Sequence, residues 1–187
     1  MIYASFARPV GLFDNFFNKV VTWLTGGNYC HSEFIFSWDK ETAESFFNTI
    51  DGHDRLKSNY LRYEEDGKIH ICFYVLWGDR TGYRLLKHTH NNPFYRMPNE
   101  TQFTCIHVPV EQEDEFKMAQ FLLDQVTKPY DYAGALGYFL PVRQSQSEYP
   151  QYYCSELMVC ALQHVRQHQN INPSSVTPNK LYTILSQ

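Results

Sequence analysis

The chain lacks several features that would settle its class at once. No run of about 18 or more apolar residues occurs, the length a bilayer-spanning helix needs, so no transmembrane segment is expected. No Lys/Arg block occurs, and the net charge is −4 with neutral histidines, so no nucleic-acid partner is expected. The start, "MIYASFARPV", lacks a basic stretch followed by an apolar run, so no signal peptide is expected. Repeats and low-complexity tracts are missing too. The cysteines are five, Cys30, Cys72, Cys105, Cys154 and Cys160, an odd number without metal-ligand spacing. Cys154 and Cys160 have five residues between them inside one helical pattern. A disulfide framework, a zinc site and redox chemistry of the CxxC kind are therefore not expected. No metal or organic cofactor is expected, and reduced thiols fit a cytoplasmic or other reducing compartment.

What is present suits one domain spanning 1–187. Of the 187 residues 43% are hydrophobic, enough for a sizeable core. The 14 Tyr and 14 Phe exceed what that core should need, so some rings are expected to line a groove or an interface with protein assembly partners.

"MIYASF" alternates like a short strand. In "GLFDNFFNKVVTWLTGG", Phe13, Phe16, Phe17, Val20, Val21 and Leu24 share one face of an amphipathic helix, stopped by Gly26-Gly27. "YCHSEFIFSWDKETAESFF" reads as a hairpin with Asp39-Lys40 at its turn. "KIHICFYVLW" (68–77) is a third strand, whose near-continuous apolar run suggests a central position, and "QFTCIHVPV" (102–110) a fourth. "HTHNNPFYRMPNE" between them is turn-rich, a surface loop. "EQEDEFKMAQFLLDQV" predicts a helix with acids in its first turn. A short helix follows around 131–138, then an irregular loop to about 151. The next helix starts near Cys154, with Cys154, Leu157, Met158, Ala161, Leu162 and Val165 on one stripe. In "SVTPNKLYTIL", Thr177 is the N-cap and Pro178 the first helical residue. The fold class is α+β, a small, mostly antiparallel sheet of three or four strands packed with helices.

Cys154 carries the chemical question. A helix N-terminus lowers a thiol pKa, and its N–H groups can bind an oxyanion. Against this, cysteine is a common buried residue. Cys160 lies mid-helix off the stripe and reads as filler, while Cys30, Cys72 and Cys105 fall in strands, where packing is the default. Among the histidines, His31 opens a strand directly after a glycine-ended helix, at the rim where a helix N-terminus can meet it. His70 and His107 lie within strands, His53, His88 and His90 in polar stretches, and His164 and His168 a turn or more down the last long helix.

"YCHSEFIF", "TKPYD" and "YYCSELMVCAL", in this order, resemble the circularly permuted branch of the NlpC-type, papain-like cysteine hydrolases, the YiiX-like and lecithin-retinol-acyltransferase-like proteins. The resemblance runs from about residue 2 to 185. It implies a permuted papain-like fold in which the histidine strand precedes the cysteine helix. It implies Cys154 as nucleophile, His31 as general base and Glu44, thirteen residues after His31, as the residue orienting the imidazole. Ser45 takes that place if the hairpin register slips by one. Asp131 and Glu156 match letters of the motif, and their own chemistry reads as helix capping and first-turn charge. Many relatives carry glycine where this chain has Glu33. Alternation puts Glu33 on the face of His31, where it could crowd the groove or compete for the imidazole. "HSEFIF" instead resembles variants of the fold carried by large DNA viruses and phages, which extends the expected locations to a virion.

The implied activity is a thiol hydrolase or acyltransferase working through an acyl-enzyme on an amide, ester or thioester, with peptide, peptidoglycan-type and lipid substrates all open. The rival reading is a catalytically silent structural protein that keeps the fold, such as a viral capsid component.

Overall fold

The computed structural model describes residues 1–9, 16–60, 68–75, 80–86, 103–137 and 151–187. In chain order these form β1 (Ile2–Ala7), α1 (Phe16–Thr25), β2 (His31–Asp39), α2 (Lys40–Thr49), α3 (Asp54–Tyr60), β3 (Lys68–Val75), β4 (Thr81–Leu86) and β5 (Phe103–Val108). Then come α4 (Gln112–Asp124), α5 (Tyr132–Gly137), α6 (Cys154–His164) and α7 (Pro178–Leu185), with a 3₁₀ turn at Pro173–Ser175 before the last. The class is α+β. The five strands form one antiparallel sheet in the order β4-β3-β2-β1-β5.

Strand register sorts the side chains onto two faces. Phe34 pairs with Phe73 and with Ala4, and Phe36 with Ile71 and Ile2, so these rings share one face. That face is the core. Trp38, Phe34 and Phe36 are essentially unexposed and continue one cluster through Phe46 of α2, Met118 and Leu122 of α4, Leu157 and Leu162 of α6, and Leu181 of α7. On the other face Ile35 and Cys72 pack with Tyr3 and Phe103. Glu33 and Ser37 are buried on that face as well. With both faces covered, β2 is the middle strand of the five. The third strand, expected to be central, is interior but one place off the middle.

The expected hairpin at 29–47 is not formed. Asp39 ends β2, and its side chain caps α2 by accepting from Thr42 N at 2.8 Å. Ala43, Phe46 and Phe47 then fall at helical spacing and are buried together. The aromatic content suggested a strand, but an N-cap followed by an i, i+3, i+4 apolar set is a helix signal. The strand β4 and the helix α3 were also not expected. α5, α6 and α7 lie where the sequence pattern puts them, and Thr177 caps α7 by accepting from Lys180 N at 3.2 Å. In α1, Val20 and Val21 are half-buried, while Leu24 is 39% and Trp23 80% exposed. Phe13 and the segments 88–100 and 138–150 lie outside the described residues.

Candidate active site

Cys154 is the first residue of α6. Tyr153 before it is extended (φ −103°, ψ 168°) and contributes its carbonyl to the first helical bond, from Leu157 N at 3.1 Å. The N–H groups of Cys154, Ser155 and Glu156 therefore have no carbonyl one turn earlier to bond. Glu156 reaches back to Tyr153 N at 3.4 Å, half of a capping box. The apolar stripe of α6 packs over β2 and buries Cys154 with it.

His31 opens β2, with 19% of its side chain exposed. Its imidazole and the Cys154 thiol lie close enough for each to shift the titration of the other. The backbone N–H of Ser32 lies near the sulfur and favours its charged form. The Ser32 hydroxyl is buried, has no conventional partner among the described residues, and lies beside the same sulfur.

Electrostatics favour separated charge in this pair. Burial alone would raise the Cys154 thiol, but hydrogen bonding to His31, the imidazolium charge and the Ser32 N–H hold it below its ordinary value. Burial would likewise discharge His31, yet the Cys154 sulfur and the Glu33 carboxylate outweigh it and push the imidazole up to about 10.

Glu33 stands two residues along β2 on the same sheet face as His31. Its Oε2 lies 3.7 Å from His31 Nε2, an ion-pair separation longer than a hydrogen bond. The carboxylate is 1% exposed and is held by one guanidinium nitrogen of Arg84, at 2.9 Å to Oε1 and 3.0 Å to Oε2. Arg84 is placed by β4, where it pairs with Cys72 across the ladder, and its guanidinium sits 5.2 Å from the Tyr74 ring centroid. Burial would raise the Glu33 carboxyl, but His31, Arg84 and the Cys72 thiol hold it below the usual range. Cys72, buried against this carboxylate, is pushed well above an ordinary thiol.

Of the expected triad, the structure joins Cys154 and His31 and leaves out Glu44. That assignment is corrected: Glu44 and Ser45 lie on the exposed side of α2, because the chain turns into a helix after Asp39 and no second strand carries them back toward His31. Glu33 holds the place instead. Alternation puts it on the face of His31, and Arg84 of β4 holds its carboxylate there. Cys105, expected to be packed, is exposed. Asp131 accepts from Gly134 N at 2.7 Å, in keeping with its capping reading. Of the other described histidines, His164 stacks on Phe121 and His107 stands edge-on to Tyr3. His88 and His90 lie outside the described residues.

Among the described residues no group of three or more His, Cys, Asp or Glu is placed to hold a metal ion, and no helix is long and apolar enough to cross a membrane. None of the family models, curated proteins or solved structures compared with this chain matches it.

Proposed function

We propose that the protein is a cysteine-dependent acyl-transfer enzyme, a hydrolase or acyltransferase on the plan of the permuted NlpC-type papain-like proteins. The observation that carries this reading is the Cys154–His31 pair: a thiol at a helix N-terminus beside an imidazole, with a buried carboxylate 3.7 Å from that imidazole's Nε2. The chain order, histidine strand first and cysteine helix later, agrees with the permuted arrangement.

The Cys154 thiolate attacks the carbonyl carbon of an amide, ester or thioester, and the electron pair moves to the carbonyl oxygen. N–H groups of the first turn of α6 stabilise that oxyanion. The tetrahedral intermediate collapses as His31 delivers its proton to the leaving nitrogen, oxygen or sulfur. An acyl-Cys154 remains. Water, or another acceptor, then gives a proton to the neutral His31 and attacks the acyl carbon, and the Cys154 sulfur departs as thiolate while His31 keeps that proton, which restores the starting pair. Glu33, held by Arg84, stabilises the imidazolium whenever His31 carries its proton.

Iodoacetamide labelling against pH, followed by peptide mass spectrometry, tests the reading. Cys154 should react at pH 6–7, well below the free thiol midpoint of about 8.5. Labelling of Cys154 only at pH 8.5 or above would return the protein to the structural reading.

A further inference from the structure

The catalytic pair stands on two elements far apart in the chain, and one short segment touches both. Residues 173–179 lead from the 3₁₀ turn into α7. On one side they bind the residues flanking Cys154. The buried Ser155 hydroxyl donates to Val176 O at 2.6 Å, and the Tyr153 hydroxyl donates to Pro173 O at 3.3 Å. On the other side Asn179 binds the residues leading to His31. Its Oδ1 accepts from Tyr29 N at 2.9 Å, and its Nδ2 donates to Tyr29 O at 3.0 Å and to Thr25 Oγ1 at 2.6 Å.

The Asn179 amide thus pairs with both polar backbone groups of Tyr29, as a neighbouring strand would. Tyr29 is two residues before His31, and the next residue, Cys30, joins the sheet by donating its N–H to Ala7 O at 2.9 Å. Gly27 fits the same contact. A Cβ there would overlap the Asn179 side chain, so only glycine lets the amide come this close.

The Tyr29 ring also packs on Tyr182 of α7, at 4.6 Å between centroids. Apolar packing fixes α6 over β2 but is non-directional, and it tolerates sliding of a helix by fractions of an ångström. A thiolate–imidazolium hydrogen bond does not tolerate it. From this geometry we infer that residues 173–179 are a clamp that registers Cys154 against His31, with Asn179 as the principal positioning residue. The inference rests on the acyl-transfer reading of the pair. Asn179 touches neither reacting atom and acts through Tyr29 on the placement of His31.

The test is the pH profile of Cys154 alkylation by iodoacetamide in the full chain, read with the unfolding midpoint in urea. Asn179→Ala should move the alkylation midpoint upward by about one pH unit or more, toward the free thiol value. Asn179→Asp, which keeps the acceptor for Tyr29 N and loses both donated bonds, should fall between. Ile184→Ala, further along α7 and packed against the core, is the control for lost stability alone, and it should leave the midpoint in place. An Asn179→Ala midpoint equal to wild type, or an equal shift in Ile184→Ala, overturns the clamp while the enzyme reading stands. A wild-type Cys154 that titrates like a free thiol overturns the enzyme reading and the clamp with it. Should Asn179→Ala fail to fold, the Asn179→Asp profile decides in its place by the same criterion.

Discussion

Oε2 of Glu33 faces Nε2 of His31 across 3.7 Å, while a single nitrogen of Arg84 holds both oxygens of that carboxylate at 2.9 and 3.0 Å. The imidazole thus has both the Cys154 thiol and a fixed, buried anion beside it. Arg84 fixes the carboxylate in place, and its charge stabilises the imidazolium.

Glu33→Gln should therefore lower the His31 pKa and weaken the thiolate. Cys154 alkylation at pH 6.5 should fall about tenfold, the effect of one pKa unit. Glu44→Gln should change nothing, since that residue is exposed on α2. Peptide-resolved mass spectrometry of the two variants beside wild type checks both statements.

The same substitution carries a pH-dependent stability cost. The Glu33 carboxyl is held below its ordinary value of 4.5, so its contribution is present above pH 4.5 and is lost as pH falls through the lower folded value. Glu33→Gln also leaves Arg84 without its anion, which should cost about 1 kcal/mol at pH 7 because that guanidinium is 38% exposed and water screens it. Urea denaturation should show the gap between wild type and variant constant from pH 5 to 8 and closing below that.

His31→Ala should raise the alkylation midpoint of Cys154 to the free thiol value of about 8.5 or above, because burial then acts unopposed. Cys154 should lose its advantage over Cys72 and Cys160, which are themselves held high, Cys160 up to about 12 by burial first and Glu156 second. If the variant folds and Cys154 labels at pH 6.5 as before, the base assignment is wrong.

Glu156 behaves in the opposite sense to Glu33. Burial, aided by the charge of Asp131, raises its carboxyl from 4.5 to about 7 against the bond from Tyr153 N. A raised acid destabilises the fold fully above the folded pKa and not at all below the unfolded one. Glu156→Gln should thus gain on the order of 1–2 kcal/mol relative to wild type at pH 8 and nothing at pH 4, minus what the weaker helix cap loses at both. Chemical denaturation at the two pH values gives the difference directly.

Asp39→Ala tests the junction that the sequence pattern missed. Loss of the bond from Thr42 N should cost about 1 kcal/mol. Cys154 labelling should be unaffected, since α2 carries no residue of the site.

The elements legible in the sequence are those in which local pattern and final burial agree. α4, α6 and α7 each show their apolar stripe, and α7 also its Thr177-Pro178 start, because a helix that buries one face must repeat apolar residues at its own period. For the same reason Cys154 was visible at a helix start and His31 at a strand start. The stretch after Asp39 was misread because aromatic residues serve both periods, and only the cap, an exposed polar contact with Thr42, decides between them.

Glu33 shows what sequence pattern cannot carry. Its alternation with His31 was plain from residues 31 and 33 alone. Whether it would compete for the imidazole or support it depended on a cation brought from residue 84, across β3, and ladder pairing is set by the sheet as a whole. The meeting of Asn179 with Tyr29 is of the same kind, 150 residues apart in the chain. Short-range preferences act over a few residues, so they set helices, caps and faces. The charges and hydrogen bonds that tune the site act through space, and only the folded chain brings their partners within reach.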